Sequence, residues 1–161
     1  MTTYDPPGPL TVHNHPAWRK RFQPDPNPPY PPRVTDPSTL LELPGMTEAL
    51  CRIEEGLLLA IDSDEPLMTD LSRHLIDAGG KRIRPGLTIA SSQALTEHPE
   101  APSNEVIRGG VAVELVHQGS LYHDDVIDGA ETRRNVESVN ARWGNREAIL
   151  AGDYLLARAS E

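Results

Sequence analysis

The chain has 161 residues, enough for one ordinary domain or part of a larger one. Its formal net charge of −9 argues against a nucleic-acid partner, which needs a basic surface, and gives no general attraction to an anionic membrane. An anionic ligand must therefore be held by a local basic cluster or through a bound cation.

Hydrophobic residues make up 37% of the chain, low for a packed fold, and the deficit is local: twelve of the 16 prolines lie in residues 1–44. Pro6-Pro7, Pro28-Pro29 and Pro31-Pro32 remove backbone donors and fix φ, which disfavours helix and strand alike. Residues 1–44 read as an unstructured extension, with Trp18 and Phe22 as local anchors, and residues 45–161 as the folded part. Cys51 is the one cysteine, so no intrachain disulfide can form, and a reducing cytoplasm suits the chain. No apolar core of signal-peptide length opens the chain and no run of about 18 apolar residues occurs in it, so a soluble protein without an integral membrane segment is expected.

From Thr47 the pattern turns helical. Leu50, Ile53, Leu57 and Ile61 form one apolar stripe, with Thr47 as N-cap and Cys51 as a small core residue. A second helix is predicted from about Pro66 to Ala78, burying Leu67, Leu71 and Leu75 and stopped by Gly79-Gly80. Pro85 suits the first turn of a third helix that runs through about Leu95, followed by a loop over 96–103. A fourth, long helix is predicted over Asn104 to Asp128, with the stripe Val106, Gly110, Val113, His117, Leu121, Asp124 and Asp128. Residues 129–145 look irregular or partly helical. A last helix begins near Arg146 and is expected to be still running at Glu161. No stretch alternates with a strand period, so the fold class is all-α. The unfinished apolar pattern suggests the N-terminal half of a larger helical bundle.

Two charge clusters stand out. Asp124 and Asp128 are one helical turn apart on one face, Asp125 lies beside them and His117 sits two turns back on the same stripe. At a few ångströms and an effective dielectric of about 20, each like-charged pair costs about 4 kcal/mol, and a divalent cation reverses that sign. Oxygen-only ligands favour hard cations such as Mg²⁺, which takes one or two carboxylates, waters and substrate phosphates. Taken alone, the pattern is equally a solvated acidic helix end. A calcium loop starting at Asp124 fits Asp128 and Gly129 but fails at Val126 and Asn135. In the basic cluster Gly79-Gly80-Lys81-Arg82-Ile83-Arg84-Pro85, a glycine turn places three cations at a helix start, where backbone N–H groups favour an anion. Lys81 supplies a point charge and Arg84 a planar fork. Either this turn or the pair Arg133-Arg134 could by itself be exposed surface. Together, one basic turn, one acidic face and one arginine pair could bind two anionic groups.

Six segments in order, Gly80-Lys81-Arg82-Ile83-Arg84-Pro85, Glu114-Leu115-Val116-His117, His123-Asp124-Asp125-Val126-Ile127-Asp128, Thr132-Arg133-Arg134, Ser138-Val139-Asn140 and Gly152-Asp153-Tyr154-Leu155-Leu156-Ala157, resemble successive landmarks of the trans-prenyl (polyprenyl) diphosphate synthases. The resemblance implies an all-helical isoprenoid-synthase fold, a dimer, and Mg²⁺-dependent head-to-tail condensation of isopentenyl diphosphate with an allylic prenyl diphosphate. Carried over residue by residue, Lys81, Arg84, His117 and Arg134 would hold isopentenyl diphosphate and Arg133 the allylic diphosphate. Asp124 and Asp128 would ligate Mg²⁺, with Asp125 in the same catalytic motif. Gly119 and Ser120, five and four residues before Asp124, are small where bulky residues close the family's chain-length pocket, which implies a medium- or long-chain product; Leu121 and Tyr122 could narrow that pocket.

The family carries a second aspartate-rich motif on a later helix, and these 161 residues hold none. The chain therefore reads as a truncated or split synthase with little activity by itself, whose partner is a second copy or a complementing C-terminal-half chain. The alternative is a non-catalytic diphosphate-binding or regulatory subunit. Apolar faces left for missing helices predict self-association or marginal stability: sedimentation should show species larger than a monomer, or thermal melting an early transition.

Overall fold

The computed structural model describes residues 43–95 and 101–161. The expected extension over 1–44, with Trp18 and Phe22, lies outside the described residues except for Leu43 and Pro44, and so does most of the loop over 96–103. The described residues form six helices and one short hairpin: α1 (Met46–Ala60), α2 (Pro66–Asp77), α3 (Ile83–Ala94), α4 (Asn104–Asp128), β1 (Thr132–Arg133), β2 (Val136–Glu137), α5 (Val139–Trp143) and α6 (Asn145–Ala159).

The α4 helix is the axis. Its 25 residues span about 37 Å at 1.5 Å per residue, and α1, α3, α5 and α6 all pack on it. Ser103 starts it, its hydroxyl accepting from the Val106 backbone N–H, and Gly129 stops it in a left-handed cap at φ 62°. The predicted bounds of this helix hold, but its inward face is turned. The buried positions are Ile107, Gly110, Glu114, Leu115, Gln118, Gly119, Tyr122 and Asp125, whereas Val113 of the predicted stripe, and with it Asp124 and Asp128, face outward. Partners on several sides, rather than one core face, set which positions are covered.

The α1 stripe Leu50, Ile53, Leu57 and Ile61 is buried as expected. The cap is Gly45 in a left-handed conformation, so Thr47 lies inside the helix rather than capping it. In α2, Leu71 and Leu75 are buried together with Ile76, while Leu67, predicted to be core, is largely exposed. Leu67 stands in the first turn, before the helix reaches its neighbours. The last helix ends at Ala159, capped by Ser160, so it does not run on to Glu161.

The expectation of no strand needs one local correction. Thr132 pairs with Glu137 and Arg133 with Val136. The two-residue turn between them, Arg134 at φ 53° and Asn135 at φ 64°, has the left-handed pair that hairpins of native twist require. Two-residue strands are too short to show an alternating pattern, and the sequence lacks the usual Asn-Gly signal.

Small residues set the helix spacing. A Cβ on Gly110 would meet Ile53 Cδ1 at 2.5 Å, and one on Gly119 would meet the Gly152 carbonyl oxygen of α6 at 2.9 Å. Buried polar ties complete the packing: the Tyr122 hydroxyl donates to the Leu71 carbonyl at 2.5 Å, joining α4 to α2, and Arg52 donates to Pro102 O and Asn104 Oδ1, joining α1 to the start of α4. Several apolar side chains stay uncovered, including Leu59, Leu87, Val116 and Ile127. No helix among the described residues is long and apolar enough to cross a membrane. Ile53→Ala, at a fully buried site, is expected to cost about 2–5 kcal/mol in urea unfolding, and Leu59→Ala, 70% exposed, to stay within about 0.5 kcal/mol.

Candidate functional site: a basic cleft beside an acidic helix end

The turn between α2 and α3 positions the first cations. Gly79, at φ 92°, ends α2, and Arg82, at φ 49°, caps α3 without a side-chain cap bond. This turn separates its three cations. Arg82 is buried: it bonds Glu54 and donates through NH1 to Glu114 Oε1 at 3.0 Å. Burial alone would lower its pKa, but the hydrogen bonds and charges of Glu54 and Glu114 outweigh that and hold the guanidinium above its ordinary value. Lys81 and Arg84 are exposed.

Lys81, Arg84, His117 and Arg134 line one cleft of about 540 Å³, with Gly80, Ile83, Glu114 and Asn135 among its other walls. The four residues come from three separate parts of the chain. Arg134 reaches the cleft from the hairpin turn, donating through NH1 to Leu75 O at 3.0 Å and also to Gly79 O. Both carbonyls belong to the end of α2, where the helix dipole favours a cation. That anchorage offsets the strain of a non-glycine residue in the left-handed region. His117 is half-buried on α4. Burial and then the Arg84 charge push its imidazole below the ordinary value, with Arg134 and Arg82 adding and Glu114 opposing.

The acidic end of α4 lies about 10 Å further along the helix from His117, seven residues at 1.5 Å each. Asp124 and Asp128 are exposed on one face. Because α4 runs unbroken to Asp128, these carboxylates sit on a helix and the calcium-loop reading falls. Asp125 is different: it is 1% exposed and its Oδ1 accepts from Arg133 Nε at 2.8 Å and NH2 at 2.5 Å. The hydrogen bond and then the charge of Asp125 outweigh burial and raise the Arg133 pKa. The two adjacent arginines thus diverge, Arg133 to the end of α4 and Arg134 to the end of α2.

Asp125 Oδ2 is buried without a hydrogen-bond partner. Asp124 and Asp128 offer oxygen donors only, one turn apart, a set that suits a hard cation completed by water and phosphate oxygens. Among the described residues no three His, Cys, Asp or Glu side chains are gathered into a ready-made cation cage. The donors present therefore fit a cation whose remaining positions are filled by ligand and water oxygens.

Gly119 and Ser120 separate as well. Gly119 faces α6, where the crossing requires its small size, and Ser120 is exposed, its hydroxyl donating to His117 O at 2.8 Å. Tyr122 is core against α2 and does not line the outer face. Sequence reasoning missed Arg82, Glu54 and Glu114 as a unit. Nothing in a linear reading pairs residue 54 with residue 82. It also missed the His123–Gly152 contact: His123 Nε2 lies 3.3 Å from both Ile149 O and Asp153 Oδ1, and a Cβ on Gly152 would strike the ring at 2.5 Å.

A model of the polyprenyl synthetase family matches residues 65–161. Among curated proteins the chain is similar to a nonaprenyl diphosphate synthase of Mycobacterium tuberculosis, 44% identical over 111 residues, covering 69% of this chain and 32% of the relative. It is also similar to heptaprenyl diphosphate synthase component 2 of Bacillus subtilis, 41% identical over 109 residues, covering 68% of this chain and 30% of the relative. Among solved structures it is similar to a polyprenyl synthase of Caulobacter crescentus complexed with calcium and isoprenyl diphosphate, with a TM-score of 0.66 and 31% identity, covering 83% of this chain and 38% of that one. The chain thus spans about a third of the length of the curated relatives it matches.

The lowered His117 pKa has a definite sign. Folding disfavours the charged imidazole, so its contribution to stability is whole above the ordinary value of 6.5 and is lost as pH falls below that value toward the folded one. An NMR titration should place the His117 midpoint below 6.5, and inorganic pyrophosphate should move it upward. His117→Asn should flatten the stability loss on acidification below that pH. A midpoint at or above 6.5 would remove the electrostatic reading of the cleft.

Proposed function

The chain belongs to the polyprenyl synthetase family, and we propose that it contributes one wall of an active site that condenses isopentenyl diphosphate head-to-tail with an allylic prenyl diphosphate. The observation that supports this reading best is the convergence of Lys81, Arg84, His117 and Arg134 on one cleft beside the helix that carries Asp124 and Asp128.

In this reading the basic cleft takes the diphosphate of isopentenyl diphosphate. Arg84 offers a planar fork to the phosphate oxygens, Lys81 a mobile charge and Arg134 a guanidinium already fixed on α2. His117, whose charged form burial and then the Arg84 charge disfavour, gains a proton or donates an N–H as the anion binds. At the other end Asp124 and Asp128 would hold Mg²⁺, whose charge would neutralise the diphosphate of the allylic substrate as a leaving group. Arg133, oriented by the buried Asp125 carboxylate, adds a cationic donor to the same diphosphate. The allylic C–O bond breaks with its electron pair leaving on the diphosphate, the double bond of isopentenyl diphosphate attacks the allylic carbon, and a proton passes from the neighbouring carbon to the released diphosphate, its C–H electrons re-forming a double bond. The cation must be kept from water, which asks for apolar walls around it.

The product is proposed to be a medium- or long-chain polyprenyl diphosphate. Because Gly119 is already required by the α4–α6 crossing, this reading rests on Ser120, which leaves the outer face of α4 open. The family's second aspartate-rich motif has no counterpart in the 161 residues, so the facing carboxylates are proposed to come from a segment outside these residues. A non-catalytic, diphosphate-binding subunit has the same half-site and differs in never turning over.

The first measurement tests the half-site that both readings share, and the second separates them. Mg²⁺ should strengthen pyrophosphate binding to the wild-type chain, and Asp124→Ala or Asp128→Ala should weaken the Mg²⁺-dependent part by about 10–100-fold, as calorimetry would read. In a condensation assay, the 161 residues by themselves should show little turnover, and addition of a chain bearing the second motif should restore it. Vigorous turnover by the 161 residues alone would exclude the shared-site reading. No turnover with any complementing chain would favour the binding subunit.

A further inference from the structure

Of the three cations in the turn from Lys81 to Arg84, Arg82 points away from solvent. It is 2% exposed, and its guanidinium is divided between two helices. Its Nε and NH2 reach Glu54 on α1, NH2 to Oε2 at 3.0 Å, while NH1 reaches Glu114 Oε1 on α4 at 3.0 Å, and NH2 also donates to Ile76 O of α2 at 3.4 Å. Glu114 is fixed from a second side, because Oε1 accepts from Gln118 Nε2 at 2.7 Å. The Arg82 backbone is left-handed at φ 49°, a conformation that disfavours a residue with a Cβ. The side-chain anchorage thus holds a bend that the local sequence does not favour.

That bend sets the direction of its neighbours. Lys81 precedes it and Arg84 follows it; all three border the cleft, but Arg82 is 2% exposed while Lys81 and Arg84 are open to solvent. A Cβ on Gly80 would meet the Arg82 guanidinium at 2.8 Å and that of Arg134 at 3.1 Å, so the turn is packed between the buried arginine and the cleft arginine. Glu114 lies one helical turn before His117 on α4. The same ion-pair network therefore fixes both the turn and the helix that face each other across the cleft.

We propose that Glu54 and Glu114, acting through Arg82, are positioning residues for the diphosphate cleft, holding Lys81 and Arg84 in register with His117 and Arg134. The inference rests on the proposed reading of that cleft. Neither carboxylate needs to touch the ligand. As bare charges both oppose it, since each adds negative potential beneath an anion site. Geometry and charge thus predict opposite signs for the same substitution, which makes the role testable.

The test uses the 161-residue chain, inorganic pyrophosphate as probe and EDTA in place of Mg²⁺, so that only the basic cleft is read. Glu54→Gln and Glu114→Gln keep shape and remove charge. Each is expected to weaken pyrophosphate binding about tenfold in calorimetry below the melting temperature, because displaced donors no longer converge. Arg82→Lys keeps the charge but cannot fork between two carboxylates, and it should weaken binding comparably. Tighter binding in the glutamine variants would reduce the two glutamates to background charge, and unchanged binding with a lowered melting temperature would make them purely structural. Either result overturns the inference. Should Glu114→Gln unfold, Glu54→Gln carries the comparison, since the Glu54 side chain is 14% exposed. A wild-type chain that binds no pyrophosphate would overturn the diphosphate reading itself. A wild-type chain that binds, beside variants that bind as well or better, overturns only the positioning role.

Discussion

The buried ion pair of Arg82 with Glu54 and Glu114 is the constraint on which the rest of the arrangement depends. An arginine taken from water is tolerated only where several acceptors replace the lost hydration, and removing one partner of such a pair costs about 3–5 kcal/mol. Here the acceptors come from α1, α4 and the end of α2, so three helices must meet before the charge can be buried. The desolvation of the three charges offsets much of their mutual attraction. Apolar residues of equal size would also fill the space, but would not require the turn at residues 79–85 to bend in one way.

A second constraint acts along α4. Gly119 and Gly152 let α4 and α6 approach until backbone meets backbone, and the His123 ring closes over Gly152. This crossing packs the carboxyl-terminal half of α4 directly against α6. Asp125 then faces inward to Arg133 and leaves Asp124 and Asp128 outward. The exposed carboxylates thus take their direction from buried neighbours, much as Lys81 and Arg84 take theirs from Arg82. Both ends of the candidate site repeat one design, a buried charged residue between two exposed ones that belong to the site.

Much of this was legible in the sequence. The bounds of α2 and α3 followed from Pro66, Gly79-Gly80 and Pro85, because caps and breakers act through local dihedral preferences, and those of α4 from its periodic stripe. The residues that line the cleft were also legible, since a basic turn, a histidine on a helix and an arginine pair are conspicuous in an acidic chain. Less legible was the phase of α4. A helix packed on several sides has no single apolar stripe, so the periodic stripe runs about one position out of phase with the buried face: it includes the exposed Val113 and omits the buried Tyr122. The hairpin at 132–137 escaped notice because its turn, Arg134-Asn135, owes its left-handed backbone partly to contacts with α2, about 55 residues away.

By itself, then, the sequence determined the helices, the all-α class, and which side chains carry charge suited to a cation and a diphosphate, because these follow from periodicity, capping and residue chemistry within a few positions. Only the tertiary structure decided which member of each charged run turns inward: Arg82 among three cations, Asp125 among three aspartates, and Arg133 and Arg134 in opposite directions. The physical reason is that burial of a charge is settled by partners distant in the chain, such as Glu54 for Arg82, and no local pattern records where those partners will stand.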